Sequence, residues 1–577
     1  MKQTRLLFIL LLALTLATVG VVSYFGYSDA PTISQRFGLA DPQVGAITPE
    51  PTAITTPLDA TKPGPATLLP ITTIVAANEV SKRFLPVWGP NYKEDDGLGK
   101  VICATYAFSA DYPLHQIQMS GLDIKRGFHL GIVPFYLDEN YVVTAVERSN
   151  LLKSGQIDCL LMTFDQIALE NPGVLTAFIN ESAGGDQLWA RNVKSLNDMK
   201  GKRIAFEANG PSAFFVYDLL ATVKLTPEDV TLLAQPNQDV AIAVFNNNDA
   251  DVVAGWQPTI NAAAQSGGQI LASSKDFRSI VGGVVISRQA MKDKVTVLQL
   301  FHEAWFEALA LQEHDFASAA KQIASWGHND YLGVKPETAE ADLRGLLSGV
   351  AQANLADNVR SFANMTAVVD RLLQARRLWA DAGNTVADGD VTQIIEPEFV
   401  QKLALGKTFD FEAPNGFVNN TFSMGRTRAV EPASDSAAAA NITTTTGVTA
   451  TEPVAVATLP CTRFEFEPNT AQLKPESETE LRDCALRILK QNLNLYVQVK
   501  GSSAWPGPKG TIKQELVEET AKERAQAVVD YLVGQGINEG RFQVDWTLPP
   551  EDHRETTDLN KQALDRYVEL SLLVSGL

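Results

Sequence analysis

Hydrophobic and polar positions along the chain change period several times, and each change marks a candidate boundary. Residues 6–25 are an uncharged apolar run preceded by Lys2 and Arg5, close to the ~20 residues that span a bilayer. Residues 31–73 are rich in Pro, Thr and Ala and show no sustained helical or strand period, so they read as an extended stalk. From about residue 75 short apolar runs alternate with amphipathic stretches. Residues 204–206 read as a strand, Asn209-Gly210 as a turn, and Pro211 as a helix start that wastes no amide donor. Residues 230–234 and 250–256 read as the next strands, with helices between them. Strands separated by helical crossovers predict an α/β domain with parallel-rich sheets, whose ligands sit beyond the carboxyl ends of the strands.

A second low-complexity stretch, about residues 426–458, holds Ala and Thr runs that cannot bury a core and reads as a flexible boundary. Beyond it the pattern is that of a small α+β domain. An alternating strand begins at Arg463, a helix begins at Pro475 and runs through Gln491, and residues 495–500 alternate again. A long amphipathic helix follows over residues 515–534, and a closing strand over 566–573.

The middle block carries Met199-Lys-Gly-Lys-Arg-Ile-Ala205, Pro227-Glu-Asp-Val-Thr231, Ala250-Asp-Val-Val-Ala-Gly-Trp256-Gln-Pro258 and Gly267-Gly-Gln-Ile-Leu-Ala272. Leu152-Lys-Ser-Gly-Gln-Ile-Asp-Cys159 lies upstream and Leu355-Ala-Asp-Asn358 downstream. In this order the fragments resemble nitrate/sulfonate/taurine-type substrate-binding proteins of ABC transporters. The resemblance implies a two-lobed periplasmic-binding-protein fold (type II) that closes on a small solute, served by a separate ABC permease. The tail resembles the OmpA-like peptidoglycan-binding domain, through Phe464 to Gly501, Arg524-Ala-Gln-Ala-Val-Val-Asp-Tyr-Leu-Val-Gly-Gln-Gly-Ile537 and Asp565-Arg566-Tyr567-Val568-Glu569-Leu570. That family holds diaminopimelate with an Asp and an Arg. Arg524 matches the Arg and Arg566 matches the closing motif, but Gly501-Ser-Ser-Ala504 stands where the family has its Asp. Peptidoglycan binding then rests on Arg524 and Arg566, with Glu515, Glu518 or Glu519 as replacement acids; a purely structural domain is the competing reading.

The expected organisation is an N-terminal transmembrane helix at 1–27, a linker at 28–74, a binding domain at 75–414 with its second lobe at about 194–285, a linker at 415–460 and an OmpA-like domain at 461–577. Positive charge ahead of the apolar run predicts that this end stays cytoplasmic while the bulk is periplasmic. A cleaved signal peptide is the alternative, although its apolar core is usually only about 7–15 residues. No Cys follows the run, which excludes a lipid-modified N-terminus.

Composition narrows function by exclusion. A formal net charge of −19 offers no basic field to displace phosphate counterions, so nucleic acid is not an expected partner. With 45% hydrophobic and 20% charged residues the chain is ordinary globular material. The 4 cysteines allow a Cys103–Cys159 and a Cys461–Cys484 bridge, or buried thiols. The 6 histidines are scattered and none pairs with a cysteine at metal-finger spacing, so neither a metal nor another cofactor is expected.

Candidate solute contacts come from loops past strand ends: Tyr106, Phe108, Thr163, Phe164 and Asp165 in the first lobe, and Gly185 in the crossing region before Asp186. In the second lobe they are Asn209, Gly210, Ser212, Ala213, Trp256 and Gln257. Aromatics there would clamp a flat or apolar part of a small organic or anionic solute, while Ser212 and the amides of the helix start, which favour anionic or polar acceptor groups, would hold its polar head. The same lobes occur in thiamine-precursor synthases, which use a site histidine and a cysteine-rich motif to hold iron. Here only His115 lies near the loops, and no nucleophile elbow, phosphate loop or supported carboxylate pair is visible, so catalysis is not expected. The overall expectation is a membrane-tethered solute-binding protein, with a ligand sensor or envelope scaffold as the alternative.

Overall fold

The computed structural model describes residues 84–106, 108–135, 143, 145–208, 210–406, 421–424, 454–461, 464–467, 470–492 and 494–574. The expected membrane helix, the first linker and most of the second lie outside them. Among the described residues no helix is long and apolar enough to cross a membrane.

The chain first lays down β1 (Val87–Trp88), β2 (Gly99–Thr105), β3 (Phe128–Pro134), β4 (Cys159–Thr163) and β5 (Val174–Ser182). It then crosses to a second sheet for β6 (Asp186–Ala190), β7 (Arg203–Glu207), β8 (Thr231–Gln235), β9 (Val252–Trp256) and β10 (Gln269–Ser273), and returns as β11 (Val281–Ile286) and β12 (Val350–Gln352). The first sheet has the order β1-β3-β2-β4-β11-β5-β12 and the second β10-β6-β9-β7-β8. Neither is parallel-rich. In the first sheet only β2 pairs in parallel, with β3 and β4, and in the second only β7, with β8 and β9. The difference has a simple cause. Strands that cross between the sheets, β5, β6, β10 and β11, run back against their neighbours. The same topology moves the lobe boundaries: the second sheet spans Asp186 to Ser273, so β6 belongs to it although it precedes residue 194, while β11 lies in the first sheet.

Two short segments carry the chain between the sheets, and they are tied together. Ser182 and Ser274 share a hydroxyl hydrogen bond of 2.7 Å, and the Ser274 hydroxyl also accepts from the Gly184 and Asp186 amides at 2.9 and 3.0 Å. The residue before β12 closes the junction: the Gly349 carbonyl accepts from the amides of Ala183 (2.8 Å) and Gly185 (3.1 Å). A strut crosses beside them. The Met365–Asp381 helix packs on the Phe164–Glu170 helix of one lobe and the Pro211–Thr222 helix of the other. Its buried Trp379 donates to the Asp165 carbonyl at 3.0 Å and packs against Phe214 and Tyr217.

In the first sheet Cys103 and Cys159 face each other on paired strands, with Cα atoms 4.5 Å apart, and are disulfide-bonded; so are Cys461 and Cys484. The C-terminal sheet has the order β13 (Val454–Thr458), β16 (Val568–Val574), β14 (Tyr496–Ser502) and β15 (Phe542–Thr547). Its first strand therefore arises inside the stretch read as linker, while the expected strand after Arg463 is reduced to a single Phe466–Leu473 bridge. The Gln514–Gly534 helix packs on β14 and β15. This domain is hydrogen-bonded to the second sheet's domain at three places. Asn197 and Thr458 exchange two bonds (3.0 and 2.8 Å), the Arg278 amide donates to Asn492 (3.1 Å), and Asn494 donates to the Lys275 carbonyl (2.9 Å).

The crossing yields a stability prediction. A methyl carbon at Gly349 would stand 2.7 Å from the Gly185 nitrogen and 2.9 Å from its Cα. Both are backbone atoms of a tied segment and have little room to give. Gly349→Ala should destabilise the protein by about 1–3 kcal/mol, the usual cost of overpacking, visible as a lower Tm in calorimetry. An unchanged Tm would mean that the crossing yields freely.

Candidate functional site

Each lobe turns a strand end into a helix start, and both starts hold polar groups out of water. In the first lobe β4 ends at Thr163, which has extended backbone (φ −79°, ψ 154°) as the N-cap of the Phe164–Glu170 helix. In the second lobe β7 ends at Glu207, and Gly210 (φ −125°) caps the Pro211–Thr222 helix. Pro211 fills the first helical position, where a missing amide proton costs nothing.

Thr163 Oγ1, both carboxylate oxygens of Asp165 and Ser212 Oγ are buried without a hydrogen bond of good geometry among the described residues. Asp165 is 2% exposed and Ser212 1%. Burial pushes the Asp165 carboxyl up to about 7, against the downward pull of the nearby Thr163 hydroxyl and of Arg148, while Asp186 adds to the rise. Burial likewise raises Asp186 to about 6 and Glu207 to about 7, the latter lowered in part by Arg148. Asp111, which accepts from Thr105 Oγ1 at 2.5 Å, is raised to about 7 by burial. Arg148 is itself committed. Its Nε donates to both Glu170 oxygens at 3.0 and 3.1 Å, its Nη2 donates to Glu170 as well, and its Nη1 reaches the Tyr106 hydroxyl at 3.2 Å.

Aromatic rings meet across the lobes. Phe108, which follows β2, lies 5.8 Å from Trp256 at the end of β9, with the ring planes inclined at 50°. Trp256 pairs with Asp186 across β6 and β9, so the second-lobe ring stands beside a carboxylate of the crossing.

Several expected contacts have other roles. Phe164 is 2% exposed and packs on Phe178, and Ala213 is fully buried in the core. The Gly185 carbonyl accepts from the Gln257 amide at 2.9 Å, while the Gln257 side chain exchanges two 2.7 Å bonds with Asn261, so both serve the junction. Asn209 lies outside the described residues. Phe108 and Trp256 meet across the lobes, Tyr106 joins the Arg148 cluster, Thr163 and Asp165 share one helix start, and Gly210 and Ser212 the other. Sequence reasoning missed Arg148, Glu170 and Glu207. Glu207 directly follows the predicted strand and was within reach of that reading; the Arg148–Glu170 pair joins two separate helices and leaves no sequence signal. His115 lies in another cluster, its ring against Tyr112 and Trp326, and burial lowers it to about 3, which keeps it neutral. Among the described residues no group of His, Cys, Asp and Glu could hold a metal ion.

In the C-terminal domain Arg524 is buried, its Nε donating to the Thr470 carbonyl at 3.3 Å and its guanidinium 5.2 Å from the Phe466 ring. Its Nη1 has no hydrogen bond among the described residues. Burial and the charge of Arg566 lower it to about 10. Ala504, in the position of the family acid, is buried, whereas Glu515, Glu518 and Glu519 are not among the charges acting on Arg524.

Residues 174–353 match the family model described as NMT1/THI5 like, and residues 465–562 match that of the OmpA family. The chain thus joins a domain of the first kind to a domain of the second. A comparison with curated proteins returns no match. Similar solved structures include the alkanesulfonate-binding protein SsuA from Xanthomonas axonopodis pv. citri bound to MOPS, at 18% identity and TM-score 0.40, covering 52% of this chain and 98% of that one. The periplasmic aliphatic sulphonate binding protein SsuA from Escherichia coli aligns at 16% identity and TM-score 0.41, covering 52% and 99%. The desulfurization enzyme DSZB aligns at 14% and 0.37, covering 53% and 98%.

Asp165 gives a prediction about stability. Its folded pKa of about 7 lies above the ordinary 3.8, so the folded state holds a proton that the unfolded chain has lost between those values. The associated stability is full below about pH 4 and falls as pH rises through 7. Asp165→Asn removes that fall. The Tm difference, variant minus parent, should therefore grow from pH 5 to pH 8, by the equivalent of about 2 kcal/mol. A difference independent of pH would show that Asp165 ionises normally in the fold.

Proposed function

We propose that this protein captures a small solute outside the cytoplasmic membrane by closing two α/β lobes around it, as the solute-binding component of an ABC importer. The supporting observation is the pair of helix starts, one per lobe, whose buried Asp165 and Ser212 side-chain oxygens lack partners of good geometry among the described residues. Groups of this kind are costly when empty and are satisfied by a ligand. Phe108 and Trp256 supply the aromatic walls. Transport itself falls to separate permease and ATPase subunits. The apolar run at residues 6–25 tethers the chain to the membrane as a single-pass anchor, and the C-terminal domain docks on peptidoglycan through Arg524 and Arg566.

A sensor or scaffold is the second reading, favoured by one observation. Asp218, in the same helix as Ser212, accepts from Ser279 at 2.5 Å and from Gln374 at 3.1 Å, and Gln374 in turn accepts from Gln491 of the C-terminal domain. A helix that starts at the proposed site is thus linked, through Gln374 of the strut, to the wall-binding-like module.

Solute capture is tested by thermal shift of the full chain against sulfonates, nitrate, bicarbonate, pyrimidines and small amines, since a ligand stabilises by RT ln(1 + [L]/Kd). Trp256→Ala should abolish the shift given by any hit while the protein stays folded. A shift that survives the substitution would take Trp256 out of the site.

Wall docking is tested by pull-down of the full chain on purified sacculi. Binding should be lost in Arg524→Gln, and Ala504→Asp should strengthen it about tenfold, the scale of a charge-assisted hydrogen bond. Failure to bind at low salt, where a charge pair is strongest, would leave the domain a structural role. Binding that changes when the cleft is saturated with a thermal-shift hit would favour the sensor.

A further inference from the structure

We propose that the solute of the interlobe cleft carries a cationic nitrogen, as an ammonium, an amidinium or a protonated heteroaromatic amine. This rests on the cleft being a solute site and narrows its substrate class.

The first ground is charge. Asp165, Asp186 and Glu207 stand at the strand ends and crossing that border the cleft, drawn from both lobes. The cation whose charge reaches Asp165 and Glu207 is Arg148. Arg148 has already given its hydrogen bonds to Glu170 and Tyr106, and Ser149 completes that cluster by donating to Glu170 at 2.7 Å. Its charge is matched by Glu170 before the cleft carboxylates are counted. An incoming sulfonate, carboxylate or phosphate would meet those carboxylates with no uncommitted cation among these groups to receive it. A cation would meet the Asp165 and Glu207 carboxyl groups, which give up their protons to receive it.

The second ground is hydrogen bonding, and it is independent of charge. Asp165 offers two oxygens and Ser212 one, all buried and without a partner of good geometry among the described residues. Asp165 sits in the first turn of its helix, where the backbone dipole favours an anion, yet that helix has no side-chain capping bond. The helix start explains why a carboxylate is tolerated; the nearby Thr163 hydroxyl and the Asp165 amide lower its pKa without forming a hydrogen bond of good geometry. A ligand N–H would satisfy the ionised Asp165 oxygens, and a charged N–H does so most strongly; the Ser212 hydroxyl can donate or accept beside it. The third ground is the aromatic pair: the faces of Phe108 and Trp256 attract cations through the ring quadrupole.

The test uses the full chain and two matched probe panels. One holds benzamidine, benzylamine, 4-aminopyridine, choline and putrescine; the other holds benzenesulfonate, benzoate, ethanesulfonate and phosphate. Thermal shift finds the hits and calorimetry gives affinities. The expected result is that at least one cation binds, no anion does, and Asp165→Asn weakens the cation at least tenfold without lowering the Tm of the solute-free protein. Glu207→Gln, at a half-buried position, gives a second variant with a smaller loss. Anion hits without cation hits would overturn the cationic assignment while leaving the solute-binding reading intact. A cation bound equally well by Asp165→Asn and Glu207→Gln would also overturn it. Silence of both panels would sink the assignment and the solute-binding reading together.

Discussion

The double crossing between the sheets is the constraint on which the rest depends. Every strand of the second lobe lies between two short segments, and a single hydroxyl, Ser274 Oγ, bonds to both sides of the first of them. Gly184 turns there with φ +122°, a conformation that costs little for glycine and much for residues with a side chain. Gly185 and Gly349 let two backbones approach closely enough for a direct hydrogen bond. This fixes where the strand ends of the two lobes can meet. The reversal of β6 and β11 against their neighbours, the position of Asp186 opposite Trp256 and the reach of Phe108 to Trp256 all follow from it.

The two helix starts illustrate how a fold carries buried polar groups. Buried carboxylates are tolerated when paired, hydrogen-bonded or protonated. Asp111 is hydrogen-bonded and Glu170 is paired; Asp165 has neither an ion pair nor a well-aligned hydrogen bond among the described residues. Burial raises Asp111 and Asp165 alike, each to about 7, so what sets Asp165 apart is its hydrogen bonding rather than its pKa. Large, well-packed aromatic contacts around Trp379 hold the Asp165 backbone in place from the other side. The scaffold is rigid where the side chain is unsatisfied, which is the arrangement a pre-formed site requires.

Much of the fold was legible because its signals are local. The strand-turn-helix from Ile204 through Pro211 depends on apolar residues, turn chemistry and proline, all close together in the chain. The C-terminal motif was legible for a partly structural reason: a methyl at Gly501 would stand 2.0 Å from the Ala521 carbonyl, so the glycine permits close helix packing. What escaped was set at long range. Strand direction at β5 and β11 is decided by the crossing rather than by any local pattern. The Val454–Thr458 strand hides in a low-complexity run because β16, at the far end of the domain, supplies its partner. Site residues divide in the same way. Thr163, Asp165, Ser212 and Trp256 follow directly from strand ends, and Phe164 and Ala213 come from the same loops but turn inward to the core. Arg148 and Glu170 are joined only by tertiary structure.

The position of the C-terminal domain adds a mechanical consequence. Ser212 and Asp218 lie in one helix, and at the usual rise per residue the cleft and the Asp218 contacts are separated by about 9 Å of rigid backbone. Asp218 is half-buried beside Ser279, which lies in the return crossing, and beside Gln374 of the strut. It also feels the charges of Arg371 and of Arg487 in the C-terminal domain. Moving the Pro211–Thr222 helix as a unit would therefore disturb the crossing, the strut and the C-terminal contact at once. The first two are hydrogen bonds of the half-buried Asp218, to Ser279 and to Gln374, and the third is the charge of Arg487; breaking a hydrogen bond of a group largely removed from water is expensive. The second lobe and the C-terminal domain are consequently linked through a helix whose other end carries the buried Ser212 hydroxyl.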